Sequence, residues 1–138
     1  MTRKYILLVI ALAAGVSGCL PASVQALRGE PGGESSFEIA AGYQEVYRRI
    51  APELRTCSES AWIGDHTSVR AELFTDTRTA ELSIEGVNML LGRRVTLLIE
   101  ITALAEQRSR IHVLWPGRGD MSATVRAWAG GAKGCRPT

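Results

Sequence analysis

The chain has 138 residues, a length that suits one domain. Apolar residues make up 46% and charged residues 22%, which excludes wholesale disorder. The formal charge is +2, but Arg3 and Lys4 both precede Cys19, and beyond them 14 basic side chains face 14 acidic ones. A neutral body lacks the electrostatic footprint of a nucleic-acid or anionic-lipid binder.

In chain order, the basic pair Arg3-Lys4 is followed by an apolar run over residues 5–16, YILLVIALAAGV. A membrane-spanning helix needs roughly 20 apolar residues, so this run is too short to cross a bilayer. It fits the apolar core of a secretion signal, and small residues follow it. Val16-Ser17-Gly18-Cys19 then resembles the lipobox of bacterial lipoproteins: a branched apolar residue, two small residues and a cysteine. The chemistry accounts for the residue types. A thiolate accepts a diacylglyceryl group, and small residues admit the preceding peptide bond to a peptidase within the membrane. The resemblance implies a signal peptide over residues 1–18. It also implies a mature chain that begins at Cys19 and carries a diacylglyceryl group and an N-acyl chain. Two or more acyl chains anchor stably where one does not. Residue 20 is Leu rather than Asp, which points to the periplasmic face of the outer membrane ahead of the inner membrane.

Residues 20–36 (LPASVQALRGEPGGESS) are rich in Gly, Pro, Ser and Glu without an apolar period, and read as a flexible tether. Phe37-Glu38-Ile39 alternates briefly and suggests a short strand. Tyr43, Val46, Tyr47, Ile50 and Leu54 then recur at helical spacing, with Glu45, Arg48, Arg49 and Arg55 on the other side. Pro52 should kink this helix or restart it. After a polar loop, SESAWIGDHTS, the period changes to two. Val69, Ala71 and Leu73 alternate with Arg70, Glu72 and Phe74, and Ala80, Leu82 and Ile84 with Glu81, Ser83 and Glu85. Val95, Leu97, Ile99, Ile101 and Ala103 form the longest alternating series, and Ile111, Val113 and Trp115 the last. Finally Met121, Val125, Trp128 and Ala129 mark a helix face, with Asp120 at its start and Gly130-Gly131 at its end. The expected fold is α+β: a helix, a four-stranded antiparallel meander and a C-terminal helix, with both helices packed on the sheet, over residues 37–138.

Three cysteines are an odd number for a secreted chain. Lipidation of Cys19 would leave Cys57 and Cys135, which are expected to form a disulfide in an oxidising periplasm.

The sequence offers no catalytic constellation. His66 lies in the polar loop and His112 on the solvent side of a strand. They do not supply the three or four convergent ligands of a zinc site. No nucleophile elbow, phosphate loop or dinucleotide fingerprint is present, and Gly117-Arg118-Gly119 reads as a turn. Glu72, Glu81, Glu85 and Glu100 are expected to form cross-strand ion pairs with Arg. No catalytic residue, metal or cofactor is therefore assigned, apart from the covalent lipid. One connection is less bland. Residues 86–94 hold Val87, Met89, Leu90 and Leu91 between glycines, either folded back to cap the core or exposed to a protein partner or membrane.

Taken together, the lipobox, the YQEVYRRI helix ending at Cys57, the strands and Cys135 resemble small uncharacterised lipoproteins of Gram-negative bacteria. The resemblance implies an address and brings no catalytic residues with it. The expected function is a non-enzymatic periplasmic lipoprotein that binds an envelope protein or supports envelope assembly. The alternatives are a carrier of an apolar ligand between sheet and helices, and a hydrolase with a site not legible in the sequence.

Overall fold

In the computed structural model, which describes residues 20–136, the alternating segments build one six-stranded antiparallel sheet. Its strands are β1 (Gly33–Ile39), β2 (Ser60–Trp62), β3 (Asp65–Phe74), β4 (Thr79–Asn88), β5 (Gly92–Ala105) and β6 (Arg108–Trp115). Their spatial order is β1-β6-β5-β4-β3-β2. Among the described residues the helices are α1 (Val24–Gly29), α2 (Tyr43–Ser58) and α3 (Ser122–Ala129). The expected signal peptide over residues 1–18 and the lipidation site Cys19 lie outside the described residues.

The expected four-stranded meander is thus corrected to six strands. The two additional strands carry weak local patterns. β1 (GESSFEI) holds few apolar residues, yet it pairs with β6 along its whole length, from Gly33↔Trp115 to Ile39↔Ser109. Its end is Phe37-Glu38-Ile39, expected as a short strand, and pairing with β6 extends it back to Gly33. β2 is three exposed residues long and pairs Ser60↔Thr67 through Trp62↔Asp65. Consequently the polar loop is mostly strand, and His66 sits in β3 opposite Val87.

One face of the sheet carries the main core. Leu82, Ile99, Ile101, Ile111 and Val113 are buried there against Val46, Ile50 and Leu54 of α2 and Val125 and Trp128 of α3. α2 runs unbroken through Pro52. Proline removes one backbone hydrogen bond, but buried side chains on both sides of it hold the helix to the sheet. α3 closes with Gly131 N–H donating to Trp128 O and Ala132 N–H to Ala127 O. This is a Schellman arrangement, with Gly131 at φ 101°. At its start, Asp120 Oδ1 accepts from Ser122 N–H at 2.7 Å. A disulfide joins Cys57, near the end of α2, to Cys135, with Cα atoms 5.2 Å apart.

The opposite face holds a smaller cluster of Leu27, Val95, Leu98 and Leu114. Two expectations change here. The segment read as a flexible tether contains α1, capped by Ser23, whose Oγ accepts from Ala26 N–H at 3.1 Å. Leu27 of α1 is completely buried against β5 and β6. The alternating series from Val95 to Ala103 is also not continuous. Register passes from Ile84↔Leu97 to Glu85↔Val95, so Thr96 is an extra residue. A one-residue bulge reverses the faces, which places Val95 with Leu98 rather than with Leu97.

Candidate functional site

Two turns meet at one end of the sheet. The register places Asp65 opposite Asn88, so the β2–β3 turn lies beside the β4–β5 turn. Met89 N–H donates to Gly64 O at 3.0 Å and ties the turns together. Gly64 adopts φ 81°, a conformation that side-chain-bearing residues rarely take. In the other turn, Asn88 Oδ1 accepts from Leu90 N–H at 2.9 Å and Leu91 N–H at 3.2 Å. The Asn88 amide thus satisfies the turn's backbone, and the apolar side chains project outward. Leu90 is 93% exposed, Met89 84% and Leu91 77%. Val87 is half-exposed on the adjoining strand. These residues do not cap the core. The neighbouring turn adds Trp62, 79% exposed, and the fully exposed Ile63.

The charges beside this apolar end are paired. Arg94 donates to both Asp65 carboxylate oxygens, at 2.9 and 3.2 Å, and Arg93 pairs with Glu85. The far end of the sheet differs in character. It holds the turns at residues 75–78 and 106–107 and an open cleft of about 530 Å³ lined by Glu45, Arg48, Arg78 and Glu106. Leu73 and Phe74, near that end, are each little more than a third exposed.

The N-terminal segment reaches the apolar end. β6 pairs with β5 only from Leu98 to Ala105, which leaves the start of β5 unpaired on that side. Pro21 O accepts the Val95 N–H there at 2.8 Å.

A second feature crosses the open face of the sheet. Glu72, Glu81, Glu100 and His112 stand side by side on four adjacent strands. Adjacent like charges repel, and cations offset them. Arg28 of α1 donates to Glu100 at 2.7 Å and also pairs with Glu81. Burial alone would lower the Arg28 pKa. The hydrogen bond to Glu100 and the charge of Glu81 outweigh it, and the pKa is raised. Arg70 holds Glu72 at 2.6 and 2.8 Å. His112 contacts Glu100 at 3.3 Å through Nδ1 and Glu34 at 3.0 Å through Nε2. The row is a network of ion pairs that also fastens α1 to the sheet. Among the described residues no group of three His, Cys, Asp or Glu side chains could hold a metal ion.

Of the residues singled out from sequence, Val87, Met89, Leu90 and Leu91 come together in one place, and Cys57 and Cys135 are joined. Trp62 and Ile63 were missed as members of the apolar end. The signal available was an apolar pair before Gly64 in WIGD, a hairpin-turn pattern hidden inside a polar stretch. Glu72, Glu81 and Glu100, expected to pair with Arg across strands, instead face one another, and their arginines come from the same strand or from α1, because cross-strand neighbours depend on register.

No family model and no curated protein matches the chain. A solved structure described as "Crystal structure of conserved protein from Geobacillus kaustophilus" is similar at 12% identity and a TM-score of 0.33. That likeness covers 59% of this chain and 70% of the other.

Proposed function

We propose that the protein is a lipid-anchored periplasmic module that works without catalysis, as a binding or envelope-assembly protein. Its contact surface is the apolar end of the sheet. The observation that carries this reading is the projection of Trp62, Ile63, Met89, Leu90 and Leu91 from two adjacent turns. Large exposed apolar side chains gathered in one place are the mark of an interaction site. The anchor is Cys19, read from its lipobox context, and the location is the periplasmic face of the outer membrane, read from Leu20. The carrier reading has less support. Ile50, Leu54 and Trp128 are completely buried between sheet and helices, where an apolar ligand would sit. The carboxylate row supports a structural role, since Arg28, Arg70 and His112 already engage it.

The test is the intact mass of protein purified from the envelope, together with in-cell crosslinking of wild type and Cys19→Ser. Acyl mass on residue 19 is expected, and in the variant it should be lost together with the crosslinks of the anchored form. An unacylated wild-type chain would overturn the anchored reading.

A further inference from the structure

We infer that the apolar end of the sheet rests on the phospholipid surface that holds the anchor, so that the domain touches the membrane at two points. This rests on the lipoprotein reading above.

The first argument is where the chain leaves the described structure. Pro21 is tied to Val95, and Cys19 precedes it by two residues. Two residues span at most about 7 Å, so acyl chains on Cys19 would start close to the body. Val95 lies three residues along β5 from Gly92, beside the β4–β5 turn. At about 3.4 Å per residue this is roughly 10 Å. Because α1 packs on the sheet, residues 24–29 cannot act as slack. An anchor at Cys19 would therefore hold the apolar end, and not the polar one, against the bilayer.

The second argument is the chemistry of that end. Trp62 with Ile63, Met89, Leu90 and Leu91 is the mixture that enters a membrane interface, where an indole sits at headgroup level. The side chains stand on the tips of two hairpins and are almost wholly exposed. Protruding tips suit a fluid surface, whereas a helix or peptide partner would need a groove. The arginines at this end are paired with Glu85 and Asp65, so the contact does not call for an anionic partner. A few apolar side chains bind a membrane weakly by themselves. An adjacent anchor turns the contact into an intramolecular one with a high effective concentration.

Trp62 makes the inference measurable, because Trp115 and Trp128 are buried while Trp62 is exposed. The full lipidated protein is reconstituted into phosphatidylcholine vesicles, with and without dibrominated acyl chains. The expected result is a blue-shifted emission, quenched by bromine and shielded from acrylamide, that is lost in Trp62→Phe. A Leu90→Ser/Leu91→Ser variant should regain acrylamide access while its two buried tryptophans report an unchanged fold. A vesicle-bound protein whose Trp62 stays in water would overturn the inference and leave the anchor reading standing. Shielding that depends on protein concentration in detergent, without vesicles, would overturn it in favour of a contact between copies. An unacylated mass would overturn both readings.

Discussion

Replacing both Cys57 and Cys135 by Ala tests how much of the fold's stability comes from one cross-link. The two positions are 78 residues apart, and the loop between them contains five strands and α3. For a loop of that length the chain-entropy relation gives about 4.5 kcal/mol at 25 °C. The loss arises mainly in the denatured chain, which regains the freedom that closure denied it. For a domain of this size, roughly 4 °C of melting temperature accompanies each kcal/mol, so the midpoint should fall by about 18 °C. Native-state contacts at the junction are few. Gly134 N–H donates to Glu53 at 2.8 Å and Trp128 Nε1–H to Gly134 O at 2.8 Å. A neutral hydrogen bond such as that of Trp128 contributes only about 1 kcal/mol net. Thermal melts followed by circular dichroism, paired with urea titrations, separate the two contributions. The double variant should show a lower midpoint and a larger m-value, because the open denatured chain exposes more surface. A fall below about 5 °C with an unchanged m-value would refute the reasoning. It would mean that the tail merely frays and that loop closure contributes little.

Further expectations follow from particular contacts. Leu27→Ala should destabilise the fold by about 2–5 kcal/mol in urea, since Leu27 fills the cluster with Val95, Leu98 and Leu114. A change near zero would mean that α1 does not pack. Leu90→Ser/Leu91→Ser should leave stability within about 0.5 kcal/mol of wild type, as expected of exposed positions; a large fall in melting temperature would place these residues in the core. Gly33→Ala should cost about 1–3 kcal/mol, because a Cβ there would overlap the Trp115 indole in a well-packed corner. The Glu53 carboxyl is held below its ordinary 4.5, first by the Gly134 N–H and then, against some desolvation, by Lys133. A depressed folded pKa gives stability that is present above the unfolded value and lost as pH falls through the folded one. The difference in melting temperature between wild type and Glu53→Gln should therefore shrink between about pH 7 and about pH 3. A difference that stays constant would rule out this linkage.

The elements that could be read from sequence are those with a strong local period. Val46, Ile50 and Leu54 mark α2, and Val125 and Trp128 mark α3, at spacings that only a helix turns into one face. β2, α1 and the start of β1, before Phe37-Glu38-Ile39, escaped because each depends on a partner. The Ser-rich start of β1 becomes a strand by pairing with β6. A three-residue β2 has no room to show a period. α1 is held by the buried Leu27, with Val24 beside it, and by Arg28 lying between Glu81 and Glu100. The candidate site divides in the same way. The apolar character of Met89, Leu90 and Leu91 was evident in the chain, but the choice between capping the core and projecting outward was not. It turns on the direction imposed by β4, β5 and the Asn88 side chain.

The sequence by itself determined the amphipathic helices, the alternation of the long strands, the neutral charge of the body and the pair of cysteines available for a bridge. Each is a property of local spacing or of composition, and needs no knowledge of what lies across the fold. Tertiary structure alone decided that Thr96 forms a bulge and turns Val95 to the other face. It also decided that three glutamates and His112 stand in one row, and that Trp62 and Ile63 join Met89, Leu90 and Leu91 at the end where Pro21 is tied. These are consequences of register and strand order, and a residue's neighbours across a sheet are set by hydrogen bonds to strands far away in the chain.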